Sequence, residues 1–119
     1  MARLFDVTLC GSGIFFDNYA EQDIIGFLNV RRVSADSRED AIRRARHETL
    51  IAWNYAHNIS RKLGVPQLDV VRVDAAKRWQ HRHPREEFFF FNSSQVKQEH
   101  LLTIVNSRRP WYRRAIKSL

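Results

Sequence analysis

The chain has 119 residues, of which 44% are hydrophobic, 12% aromatic and 28% charged, with a formal net charge of +7. That length holds one domain and excludes a multidomain enzyme with separate cofactor and substrate halves, while the aromatic content excludes a wholly disordered chain. A single cysteine, Cys10, cannot close an intrachain disulfide, so the disulfide-rich secreted class is excluded and the reducing cytoplasm is the expected location.

No uninterrupted apolar run precedes Asp6, so no signal peptide is expected. No stretch approaches the roughly 18 apolar residues of a membrane span. Residues 3–10 alternate, with Phe5, Val7 and Leu9 on one face and Asp6 and Thr8 on the other, the pattern of a half-buried strand. Gly11-Ser12-Gly13 breaks that strand and reads as a tight turn; without a third glycine or a Lys-Ser/Thr ending it is not a phosphate loop. Residues 14–23 read as a loop or short helical turn over a core edge, and 24–33 as a second strand in which Gly26 marks a bulge or a close approach.

The clearest signal follows. Ser37 or Asp36 caps a helix whose first turn carries Glu39 and Asp40. Ile42, Ala45, Thr49, Ala52, Ala56, Ile59 and Leu63 then recur at three and four, widened by Ala41, Trp53 and Ile51. Arg61 and Lys62 suit a last turn, Gly64 suits a left-handed stop and Pro66 prevents continuation, so the pattern predicts one long helix over 38–63, with room for a bend at 54–58. Residues 68–75 read as a third strand, with Asp69, Val71, Val73 and Ala75 sharing a face. Residues 76–87 form a polar, arginine-rich connection. Phe88–Phe91 read as a strand buried on both faces. Asn92-Ser93-Ser94 offers a turn and cap, and 96–105 suits a helix better than a strand.

This order, β-β-α-β-β-α, predicts an α+β fold: a mixed or antiparallel sheet with one long helix packed on one face, a ferredoxin-like variant being the leading topology. The crossover through the long helix gives the second and third strands a parallel relation. The other sheet face is then open, and a homodimer through it or through an edge strand would cover it. Residues 1–106 are expected to form the domain and 107–119 a basic aromatic tail packed on it.

The charge is uneven. Residues 1–60 hold seven basic and eight acidic side chains, and residues 61–119 hold thirteen and five, so the whole excess lies in the second half. There Arg78, Arg82, Arg85, Arg108, Arg109, Arg113 and Arg114, with Lys77 and Lys117, are interleaved with Trp79, His81, Trp111 and Tyr112. Guanidinium forks match phosphates and carboxylates, and aromatic faces stack on bases. The expected function is therefore a non-enzymatic binding module whose partner-binding residues are Arg78, Arg82, Arg85, Arg108, Arg109, Trp111, Tyr112, Arg113 and Arg114. Its partner is an acidic one, nucleic acid or protein. The alternatives are a homodimeric interaction protein and a small enzyme with a pocket between helix and sheet.

No catalytic residue, metal ligand or cofactor is assigned. His81 and His83 stand two apart but lack a third ligand, and His47, His57 and His100 are distant from them. Glu86 and Glu87 are adjacent and point apart on a strand. Cys10 or an Asp74–histidine dyad would need a partner brought close by the fold. No zinc-finger spacing, paired RNA-binding aromatics or GXXG loop is present.

Overall fold

The computed structural model describes residues 2–14, 24–59, 64–78 and 81–108. Strand β1 (Arg3–Ser12) turns back into β2 (Gly26–Ala35), helix α1 (Arg38–Ala56) leads to β3 (Gln67–Ala76), and β4 (Phe89–Phe91) precedes helix α2 (Ser94–Ser107). The four strands form one sheet in the order β3-β1-β2-β4, and every neighbouring pair is antiparallel. Because β2 and β3 both run against β1, they are parallel to each other with β1 between them. The expected α+β class and antiparallel sheet are therefore present. The element order ββαββα differs from the βαββαβ order of a ferredoxin-like fold.

Side chains alternate across a strand, and here both faces are covered. Phe5, Val7 and Leu9 of β1 and Phe27 of β2 pack with Ala41, Ala45 and Trp53 of α1. Cys10, Leu28, Val30 and Phe91 point the other way and pack with Ile104 of α2. The expectation of one long helix on a single face is thus replaced by two helices on opposite faces. Asp6 and Thr8, read as a solvent face from alternation, are 0% and 1% exposed.

Helix α1 starts where its sequence directs: Ser37 Oγ accepts from the Asp40 amide at 3.1 Å. Its buried line is Ala41, Ala45, Thr49 and Trp53, because the indole fills the space above the sheet and centres the contact there. Ile51 and Ile59, assigned to the apolar stripe, are 56% and 75% exposed. The helix ends at Ala56, not at residue 63. The buried Asn58 amide donates to Asn54 Oδ1 and to Gly64 O, and Trp53 Nε1 also donates to Gly64 O, which ties the following turn to the helix end. Gly64 does take a left-handed conformation, φ 83°, but the helix has already ended at Ala56 and Gly64 is not its stop. No helix among the described residues is long and apolar enough to cross a membrane, which does not bear on β-barrels.

The β1–β3 register shifts between Thr8 and Leu9, so β3 carries an extra residue there. Val70 and Val73 pack on the core while Val71 stands 36% exposed, which corrects the shared face assigned to Val71 and Val73. Phe88–Phe91 is read correctly as a two-faced segment: Phe88 and Phe90 pack on the α1 side, Phe89 and Phe91 on the α2 side. Ser93 caps α2 through the Val96 amide at 3.2 Å, so 94–107 is a helix. Residues 15–23, read as a loop or helical turn, lie outside the described residues.

Gly11 and Ser12 belong to β1, and the turn begins at Gly13, φ 73°. Gly11 lies under the Phe27 ring, and Gly26 lies against Gly11 O and the Phe91 ring, the close approach that its sequence suggested. Gly11→Ala is therefore expected to destabilise the fold by about 1–3 kcal/mol through overpacking of the core. A urea midpoint equal to that of the parent chain would show that Phe27 does not rest on this glycine.

Candidate functional site

Asp6, at the centre of the α2-side face, has a fully buried side chain and lies between two arginines. Arg32 of β2 grips it with a fork, Nε to Oδ1 at 2.7 Å and Nη2 to Oδ2 at 3.0 Å. Arg108, the C-cap of α2, donates from Nε to Oδ2 at 3.0 Å. Both guanidiniums are buried as well, with side chains 6% and 14% exposed. Such a cluster is tolerable in a low-dielectric interior only when donors and acceptors are satisfied.

The rest of that satisfaction comes from the chain that crosses this face between β3 and β4. Arg32 Nη1 donates to His81 O at 3.3 Å and Nη2 to Arg82 O at 2.9 Å. Arg108 Nη2 donates to Ala75 O at 2.9 Å, near the end of β3. Asp74, beside Arg108 at 3.9 Å, is held by Arg72 at 2.8 Å. One carboxylate thus joins β1, β2, the β3–β4 connection and the end of α2.

A second node lies on the opposite face. The buried Asn29 donates from Nδ2 to Glu86 O and Glu87 O at 3.0 and 3.1 Å, and its Oδ1 accepts from Thr49 and Arg31 at 3.0 Å each. Glu86 also accepts from the Arg32 amide at 3.3 Å and lies 3.9 Å from Arg31. These bonds lay residues 86–87 along β2 and lead them into β4.

Of the residues read as partner-binding, Arg78, Arg82 and Arg85 are exposed on the connection, and Arg85 is 2.8 Å from Glu87 in a surface pair. Arg108 is different, since its charge is spent inside on Asp6. Arg109, Trp111, Tyr112, Arg113 and Arg114 lie outside the described residues, as does Trp79. The structure thus brings Arg82 and the root of the C-terminal segment to one place, the two ends of the Asp6 cluster. Sequence reasoning missed Asp6, Arg32 and Asn29. No local signal marked them, since burial of a strand's polar face depends on what packs over it, here the end of α2 and the connection, both distant in sequence.

The histidines do not gather. His81 Nδ1 accepts from the Lys77 amide at 3.1 Å, His100 Nε2 lies 2.9 Å from Phe90 O, and His57 stands edge-on to Phe88 and Phe90 with centroids 5.3 and 5.2 Å away. Among the described residues no group of three His, Cys, Asp or Glu side chains could hold a metal ion. Comparison with protein-family models, curated proteins and solved structures found no match.

Removing Asp6 leaves the buried Arg32 guanidinium without its carboxylate and Arg108 with Asp74 at 3.9 Å, so Asp6→Ala is expected to cost about 3–5 kcal/mol in urea unfolding. The triple variant Asp6→Leu, Arg32→Met, Arg108→Met removes all three charges and should lose less than the single one. A triple variant weaker than Asp6→Ala would show that the carbonyl contacts of the arginines, not the charges, dominate.

Burial among the rings holds the His57 pKa below its ordinary 6.5, and burial followed by the Arg108 and Arg32 charges does the same to His81. Both rings are neutral in either state above the unfolded value, so no penalty exists there. As pH falls from the unfolded value through the folded one, the unfolded chain takes up protons first and stability drops. His57→Gln should lose less stability than the parent between about pH 7.5 and 5. Equal losses in thermal melts would remove His57 from this account.

Proposed function

We propose that the chain is a non-enzymatic binding protein of a reducing compartment that engages an acidic partner on a basic surface. That surface is centred where the β3–β4 connection meets the segment beginning at Arg108. The supporting observation is the Asp6 cluster. Residues 77–85 carry Lys77, Arg78, Arg82 and Arg85 and no carboxylate, and residues 108–119 carry five basic side chains and no carboxylate. Through Arg32 and Arg108, one buried carboxylate holds the backbone at Arg82 and the residue from which the second stretch begins at the same end of the sheet. Of the nearby acidic groups, Asp74 is held by Arg72 and Glu86 by the Arg32 amide, while Glu87 pairs with Arg85 at the surface. Arginine in preference to lysine suits oxyanions that accept two parallel hydrogen bonds.

The test is binding of a fluorescent single-stranded oligonucleotide and of poly-glutamate at two ionic strengths. With about four cationic contacts, oligonucleotide affinity should fall roughly fiftyfold from about 50 to 200 mM salt. Arg82→Glu with Arg85→Glu should weaken both probes and flatten the salt dependence. Absence of any binding to either probe at low salt ends this reading.

A homodimer is the second reading, favoured by a separate observation. Ile51, Tyr55 and Ile59 are 56%, 80% and 75% exposed at four-residue spacing on and just beyond α1, beside a groove of about 420 Å³. The row is symmetric about Tyr55, so a second copy laid antiparallel would set Ile51 against Ile59 and Tyr55 against itself. Sedimentation should then give a dimer that is insensitive to salt and is split by Tyr55→Glu. A monomer at all concentrations removes it.

A further inference from the structure

We infer that the acidic partner is a protein segment that inserts one aliphatic side chain into an apolar socket set within the basic surface; this rests on the basic-surface reading above. The socket lies on the α2 side of the sheet and has a volume of about 50 Å³. Val30, Phe89 and Ile104 form its apolar base. One wall is Pro84 and Arg85, from the basic connection itself, and the other is the end of α2 with Arg108. The opening therefore lies between the basic connection and the end of α2, from which the C-terminal stretch begins.

Size and chemistry select the occupant. A dry apolar cavity of about 150 Å³ accepts a benzene ring. This socket has a third of that volume, too little for a nucleobase or an aromatic side chain, but enough for the branched tip of an aliphatic one. Its carbon-lined base offers a phosphate nothing. At the mouth stands Arg85, exposed on the connection, which holds Glu87 only in a surface pair that a partner carboxylate can replace; Arg82, also exposed, lies three residues before it in the chain. Arg108 serves as wall alone, because its guanidinium is committed to Asp6 and Ala75 O. An aliphatic residue flanked by carboxylates satisfies both halves of the site: burial of the tip supplies the anchor, and the arginines supply orientation.

Two labelled peptides test this on the full chain, one of three glutamates, leucine and three glutamates, the other with serine in place of leucine. The leucine peptide should bind about tenfold tighter, the effect of burying roughly two methylene groups. It alone should shift the methyl resonances of Val30 and Ile104. Thr103, exposed on α2 and lining the socket, provides the blocking variant. Thr103→Leu should abolish the leucine preference and leave the affinity for the serine peptide unchanged. Equal binding of the two peptides, or a preference that survives Thr103→Leu, overturns the socket and leaves the basic surface standing. Binding of the oligonucleotide with neither peptide bound overturns it in favour of nucleic acid. Failure of every acidic probe overturns both readings.

Discussion

A carboxylate with no access to water is the constraint around which this fold is arranged. Asp6 sits on the central strand, where both faces are covered, and a lone ion there would be untenable. Arg32 neutralises it across the β1–β2 pair, but a guanidinium has five donors and one carboxylate cannot use them all. The surplus donors of Arg32 and Arg108 find backbone carbonyls at Ala75, His81 and Arg82. The carbonyls of His81 and Arg82 in the irregular connection, with that of Ala75 near the end of β3, thereby supply the acceptors that the cation pair needs. The result is a polar core on half of one sheet face, where apolar side chains would otherwise be expected.

The opposite face is held differently. There the aromatic rings dominate: Phe27 stacks on Trp53 at 5.2 Å and meets Phe88 edge-on at 4.8 Å. Such packing is non-directional enough to seat α1 but does not set the path of the chain entering β4. Asn29 sets it, with all its amide hydrogen-bonding positions used and two of them on the backbone of residues 86–87. Three residues, Phe89–Phe91, are a short strand to add at an edge, and Asn29 extends the attachment beyond the ladder itself. The two nodes act at the two ends of one connection, Asp6 at its start and Asn29 at its finish.

What could be read in the sequence follows from how local each signal is. Caps are local, and Ser37 and Ser93 both hold the amide three residues on. The two-faced reading of Phe88–Phe91 also needed nothing beyond four adjacent rings. Alternation failed at Asp6 and Thr8 because it reports which face is apolar, not whether the polar face meets water; that depends on α2 and the connection, far away in sequence. It failed again at Val71, where one extra residue in β3 shifts the parity of every side chain beyond it. The length of α1 was overestimated because the spacing of small apolar residues continues past Ala56, while Asn58 and Gly64 fold the chain back. Of the candidate site, the location of the charge was legible, since it is composition. The division of arginines into buried and exposed was not, because Arg108 differs from its neighbours only in having Asp6 within reach.

That division changes what the net charge means. A count of arginines treats Arg32, Arg72 and Arg108 as equivalent to Arg78 and Arg82, yet the first three are paired with Asp6 and Asp74 and contribute little field at the surface. The exposed positive charge among the described residues of this region stands on the connection, at Arg78, Arg82 and Arg85. The connection and Arg108 are held near one another because Arg32, bonded to the carbonyls of His81 and Arg82, shares one carboxylate with Arg108. A change at Asp6 that loosens Arg32 therefore releases the backbone of His81 and Arg82, and one that loosens Arg108 releases the end of α2. A surface substitution such as Arg82→Glu alters charge and leaves this geometry alone. The buried cluster thus sets the path of the connection, while the exposed arginines on it set the charge it presents to water.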